Sequence, residues 1–150
     1  MADTNDVISV IDNLIETCKD GETGYAHSAT IVSDPQVRSY FEQQAQERHA
    51  LLVELKQLAT TLGERNPDTS GSTAAVLHRA WFEAKADMGA GDESILSSVE
   101  QGEDSAKKNY KQALEADLPA NVRTIIARQA QSVFAAHDTV RDMRDRKKAA

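Results

Sequence analysis

The amino-acid sequence predicts an all-α protein built as a bundle of four long helices. Long segments carry apolar residues three or four positions apart, the spacing of a helix that buries one face. The three prolines and several glycines lie in short polar segments that separate these stretches. At 150 residues, the chain has the length of one compact domain.

The first two helices are predicted to form a hairpin. Asp3 or Thr4 can accept hydrogen bonds from the free N–H groups at the start of the first helix. Asp34 and Pro35 are residue types preferred at the start of a helix, and Gly63 suits the end of the second helix. The predicted buried faces are Val7, Ile11, Leu14, Cys18, Tyr25, Ala29 and Val32 in the first helix, and Val37, Phe41, Ala45, Leu52, Leu55 and Leu62 in the second.

A short helix is predicted before the second pair of long helices. It spans Thr73 to Met88, with Trp81 as its apolar anchor, and Asp92 is predicted to cap the third long helix. A turn at Pro119 separates the third helix from the fourth. The predicted buried faces are Ile95, Val99, Glu103, Ala106, Tyr110 and Ala113 in the third helix, and Val122, Ile126, Gln129, Val133, Val140 and Met143 in the fourth.

A ten-residue pattern recurs in the two halves of the chain. VRSYFEQQAQ at 37–46 and VRTIIARQAQ at 122–131 share five residues in the same order, and each follows a proline turn. The repeat predicts two antiparallel hairpins, at residues 4–62 and 93–147, within a single domain that spans the chain. The crossover at residues 63–92 is long enough to run the length of the bundle. This arrangement is the ferritin-like four-helix bundle with one crossover.

The acidic composition excludes several classes of partner. A net charge of −7 argues against binding to nucleic acids or to anionic membranes, and no apolar run reaches the roughly 20 residues that span a bilayer. The first residues lack the basic stretch of a signal peptide, and a single cysteine fits a reducing compartment, so a cytoplasmic location is expected. Long bundles often pair side by side, and a homodimer is compatible with the sequence.

Two glutamates fall on apolar faces of helices that are predicted to lie against each other. Glu22 and Glu103 are expected at similar heights in the core, where carboxylates are costly unless paired, protonated or metal-bound. His49 and His137 lie towards the flanks of their helix faces. One interpretation is therefore a core site for a divalent metal ion, iron or manganese, with these four residues as ligands.

The alternative interpretation is a buried hydrogen-bond network that sets the register of the helices. Gln44 and Gln129 also fall on buried faces, and Arg48 is a further candidate partner for the glutamates. Tyr25 and Tyr110 lie on the same faces as Glu22 and Glu103 and belong to the same predicted polar network. The sequence contains no catalytic motif such as a P-loop or a CxxC pair, so a non-catalytic structural or interaction protein remains open.

Several segments resemble one family across nearly the whole chain. They are LIETCKDGETGY, VLHRAWFEAK, EQGEDSAKKNYKQAL and LPANVRTIIARQAQSVFAAHDTVRDM. The chain resembles a bacterial family of four-helix-bundle proteins, a domain of unknown function within the ferritin-like superfamily. The resemblance implies a ferritin-like bundle in the bacterial cytoplasm and implies no reaction.

Ferritins and rubrerythrins, which the resemblance makes distant relatives, bind two irons. Their pattern places a Glu on the first and third helices, which Glu22 and Glu103 match, and Glu-x-x-His on the other two helices. Here Gln46 and Phe134 stand in place of those second glutamates, three residues before His49 and His137. This departure argues against a ferroxidase and is consistent with a mononuclear or weak metal site, or with none. The leading hypothesis is a metal-binding bundle in a stress-protective role.

Overall fold

The described part of the chain forms four α-helices. The structure, a computed structural model, describes residues 3–64 and 91–149. The prediction of an all-α four-helix bundle is confirmed, and no described helix has an apolar stretch long enough to cross a membrane. The predicted short helix at residues 73–88 lies outside the described residues. The helices are α1 (Thr4–Ile31), α2 (Pro35–Thr61), α3 (Asp92–Glu115) and α4 (Ala120–Ala149).

The first hairpin packs against the second through two antiparallel helix pairs. α1 lies against α3, where Cys18 contacts Tyr110 and Tyr25 contacts Glu103, so the residue numbers rise on one helix as they fall on the other. α2 lies against α4 in the same manner. Because the two helices within each hairpin also pack together, the order around the bundle is α1, α2, α4, α3.

The start of α3 lies beside the turn between α1 and α2. The Asp92 carboxylate accepts hydrogen bonds from the backbone N–H groups of Ser33 and Asp34, at 2.8 and 2.9 Å. The end of α2 and the start of α3 therefore lie at opposite ends of the bundle, as a crossover requires. The prediction that Asp92 caps its own helix is wrong, because Gly91 is the N-cap residue and no side chain caps α3. Two charge-assisted bonds across the bundle replace one local cap bond.

The predicted ends of the first hairpin's helices are confirmed. Asp3 and Asp34 are the N-cap residues of α1 and α2, and each side chain accepts a backbone N–H hydrogen bond. Pro35 occupies the first turn of α2. Gly63 follows α2 with a φ of 101°, a conformation that side chains with a Cβ rarely adopt.

The repeated VR pattern has the same structural role in both hairpins. Arg38, near the start of α2, donates to the carbonyl oxygens of Ala29 and Val32 at the end of α1. Arg123, near the start of α4, donates to two carbonyl oxygens at the end of α3. In each case the guanidinium satisfies carbonyl groups that the preceding helix leaves without a partner.

The core consists of two apolar clusters at opposite ends of the bundle, with polar side chains between them. The predicted faces of the four helices form these clusters, although Ala45, Leu62 and Met143 are only partly buried. Cys18 and Tyr110 belong to the first cluster and Tyr25 to the second. The polar groups with which these three side chains form hydrogen bonds lie near the middle of the bundle.

Candidate metal centre

Three potential metal ligands meet between α3 and α4. Glu100 and Asp104 lie one turn apart on the same face of α3, and His137 faces them from α4. Each offers one ligand atom, and these atoms lie within 4.8 Å of one another. His137 Nε2 is 2.7 Å from Asp104 Oδ1 and 3.9 Å from Glu100 Oε2. We call these residues the α3–α4 triad.

A fourth residue contacts the other nitrogen of the His137 imidazole. Asp138 Oδ1 lies 3.0 Å from His137 Nδ1. Without a metal ion, Nε2 forms a hydrogen bond with Asp104. A metal ion that replaced this bond would be bound by the Nε2 lone pair of a neutral His137 that donates its Nδ1 proton to Asp138. The hydrogen bond to His137, with the nearby charges of Arg141 and Lys107, lowers the pKa of Asp138. Asp138 therefore stays ionised and keeps the imidazole in place.

Two side chains of the triad are largely shielded from solvent, and the third is exposed. The side chains of His137 and Glu100 are 10% and 12% exposed, whereas that of Asp104 is 62% exposed. Arg144 forms an ion pair with Oε1 of Glu100, and Oε2 faces the imidazole. An ion could enter past Asp104. A set of two carboxylates and one imidazole is compatible with manganese, iron or zinc.

The four ligands predicted from the sequence do not form one cluster. Within the described part of the chain, the α3–α4 triad is the only group of three potential ligands whose ligand atoms lie within 4.8 Å of one another. Of the four predicted ligands, it includes only His137. Glu22 and His49 pair with each other at 3.2 Å near the surface, where their side chains are 35% and 59% exposed. The expectation that Glu22 lies in the core is wrong, because Arg48 fills the core at this level and packs against Gly21.

Glu103 lies in the core, as predicted, and it pairs with a buried cation. Its Oε2 atom accepts hydrogen bonds from Arg48 Nη2 at 2.5 Å and from the Tyr25 hydroxyl at 2.7 Å. Burial disfavours the charged guanidinium, but the neighbouring Glu103 raises the pKa of Arg48 above its ordinary value. Burial and Glu103 together raise the pKa of Tyr25. The charge of Glu103 is thus balanced by Arg48 without a metal ion.

A second set of buried hydrogen bonds surrounds Tyr110. Its hydroxyl donates to Gln129 Oε1 at 2.7 Å and lies 3.1 Å from Cys18 Sγ. The Gln129 amide donates to Glu54 on α2, also at 2.7 Å, so these bonds connect all four described helices. Gln44, predicted to share this network, is half-buried and has no hydrogen bond to a described residue.

Residues 6–116 match a protein family described as a domain of unknown function, DUF2383. The match covers more than half of the chain. The chain belongs to the DUF2383 family. No curated protein matches it. The region shared with DUF2383 includes α1, α2 and α3, and therefore Glu100 and Asp104, whereas His137 and Asp138 lie beyond it on α4.

Two ligands of the triad, Glu100 and Asp104, were not predicted from the sequence of this DUF2383 protein. Their spacing of four residues is also that of ordinary solvated charges on a helix. Asp138 follows His137 directly and carries no signal of its own. Only the approach of α4 to α3 distinguishes these carboxylates from the other acidic residues of the chain.

The single cysteine should be unreactive in the folded protein. Cys18 is fully buried, and burial raises the pKa of its thiol to about 11, so that almost no thiolate is present at pH 8. We expect an aromatic disulfide reagent to leave the native protein unmodified at pH 8 and to label one thiol per chain in urea. The Cys18→Ala variant gives the background. Equal labelling rates in buffer and in urea would contradict the buried position.

Proposed function

We propose that this protein binds one divalent metal ion, manganese or iron(II), through the α3–α4 triad. The observation that carries the proposal is the convergence of Glu100, Asp104 and His137, whose ligand atoms lie within 4.8 Å of one another. The hydrogen bond that Asp138 accepts from the second imidazole nitrogen supports it, because metal-binding histidines commonly have such a partner.

The charge around the triad favours a bound cation. Three carboxylates, those of Glu100, Asp104 and Asp138, surround one imidazole, and the arginines paired with them are Arg144 at Glu100 and Arg141 at Asp138. A divalent ion would balance the remaining negative charge. Three protein ligands also leave coordination positions for water or for another molecule.

The proposed site differs in place from the core site expected from the sequence. It lies in the groove between α3 and α4, and the core carboxylate of Glu103 is already paired with Arg48. We therefore propose a mononuclear site rather than a di-iron centre. The ferritin-like relationship belongs to this proposal and rests on the arrangement of the hairpins. The proposed stress-protective role rests on the metal site and consists of holding a redox-active metal.

The proposal is tested by titrating the purified, untagged protein with Mn²⁺ and measuring the free ion by electron paramagnetic resonance. We expect about one Mn²⁺ per chain, no measurable binding by His137→Ala, and a loss of affinity of about 10–100-fold for Asp138→Asn. The matched control is His49→Ala, which removes a histidine that also pairs with a carboxylate but lies outside the triad.

The outcomes of this titration test the proposed site and distinguish metal binding from a structural or interaction role. Equal binding by the wild type and His137→Ala, or loss of binding in His49→Ala, would contradict the proposed site. A protein that takes up neither Mn²⁺ nor iron(II) would favour the second candidate, a non-catalytic structural or interaction bundle. The buried Arg48–Glu103 pair supports that candidate, because it joins the two hairpins without any ligand.

A further inference from the structure

A group of lysines extends the groove of the α3–α4 triad along α3. Lys107, Lys108 and Lys111 follow Asp104 by three, four and seven residues, so all four lie along one side of the helix. They line a single surface groove on α3 together with Asp104, Gln112 and Glu115. One helical turn, about 5 Å, separates Asp104 from the first two lysines, a distance that a lysine side chain can span.

Two of these lysines lie close to an aromatic ring on the neighbouring helix. The ammonium groups of Lys107 and Lys111 lie 5.8 and 5.9 Å from the centre of the Phe134 ring on α4. Phe134 precedes His137 by three residues and so lies on the same side of α4. The lysines and the triad are therefore neighbours along α3, they share Asp104, and both approach side chains of α4.

The positive charge of this patch is unusual for the protein. The net charge is −7, yet three of the eight lysines fall within five residues. None of the three forms an ion pair with a residue that the structure describes. Lys107 and Lys111 are four residues apart, a spacing at which like charges on a helix repel each other. The fold alone does not require two cations over one aromatic ring.

We propose that this groove binds the phosphate group of a small phosphorylated molecule, with one oxygen on the metal ion and the others facing Lys107, Lys108 and Lys111. The inference rests on the metal site proposed above. A phosphate dianion offers several oxygens and two charges, which match a divalent ion beside a set of ammonium groups. A carboxylate offers one charge and two oxygens and would occupy less of the groove.

The test measures Mn²⁺ affinity with and without inorganic phosphate at constant ionic strength, after correction for the Mn²⁺ that phosphate binds in buffer. Because coupling between two ligands is reciprocal, a shared site should tighten Mn²⁺ binding when phosphate is present, by about 5–20-fold. The K107Q/K111Q variant should lose this enhancement, while its Mn²⁺ affinity without phosphate should equal or exceed that of the wild type, because two positive charges near the site are removed. The matched control K56Q/K148Q removes the same charge elsewhere and should behave as the wild type.

The outcomes separate this inference from the proposed function. Mn²⁺ binding that phosphate leaves unchanged in the wild type would overturn the phosphate site and leave the metal site intact. An enhancement that persists in K107Q/K111Q, or that disappears equally in K56Q/K148Q, would also overturn it. Absence of Mn²⁺ binding both with and without phosphate would overturn the proposed function and this inference together.

Discussion

Replacing Arg48 with methionine should destabilise the folded protein by about 3–5 kcal/mol, since removal of one partner from a buried ion pair leaves an uncompensated charge. Arg48 and Glu103 are fully buried, and the Glu103 oxygen that Arg48 contacts also accepts a hydrogen bond from Tyr25. The free energy of unfolding, from urea titrations followed by far-ultraviolet circular dichroism at pH 7, measures the loss.

Two further variants make this prediction specific to the buried pair. The double variant Arg48→Met/Glu103→Leu should recover most of the stability, because a buried ion pair can often be replaced by apolar residues of similar volume. Arg128→Met removes the cation of a much more exposed ion pair with Glu54 and should cost less than about 1 kcal/mol. Equal losses for Arg48→Met and Arg128→Met would show that the buried pair does not stabilise the fold.

Replacing Gly21 with alanine should destabilise the protein by about 1–3 kcal/mol, the usual range for overpacking a core. A Cβ at this position would lie 2.7 Å from Arg48 Nη1 and 3.3 Å from its Cγ. The guanidinium cannot move aside freely, because it is buried, bound to Glu103 and placed 5.4 Å from the centre of the Tyr25 ring. Urea unfolding at pH 7 again provides the measurement.

The dependence of this effect on Arg48 can be tested with a double-mutant cycle. In the Arg48→Met background, the added methyl group meets a flexible apolar side chain, and alanine is favoured over glycine in a helix by about 1 kcal/mol. Gly21→Ala should therefore be neutral or stabilising there. If the substitution costs the same in both backgrounds, the close approach of Arg48 is not the reason for glycine at this position.

The helices and their buried faces could be predicted because local rules determine them. The start of α2 at Asp34 and Pro35 depends on the preferences of residues that are neighbours in the chain. The burial of Ile11, Val99 and Ile126 follows from helical periodicity alone. The same periodicity placed Glu103 correctly in the core, and it also placed Glu22 there, although that residue lies nearer the surface.

The candidate site could be predicted only in part, because its ligands come from two helices. His137 was singled out by its position on α4, whereas Glu100 and Asp104 resemble solvated helix charges until α4 lies against them. A difference of one residue rotates a side chain by about 100° around the helix axis, so small shifts between helices decide which groups meet. The positions of α3 and α4 relative to each other depend on side-chain packing across the whole bundle, which helical periodicity does not describe.

By itself, the sequence determined the class of fold, the ends of the helices in the first hairpin and most of the apolar core. Each of these depends on residues within a few turns of one helix. The tertiary structure decided that Arg48, a candidate partner of both glutamates, pairs with Glu103, that Asp92 binds the turn between α1 and α2, and which carboxylates of α3 meet His137. Those contacts join residues that are 33 to 59 positions apart, and helical periodicity carries no information about partners at that separation.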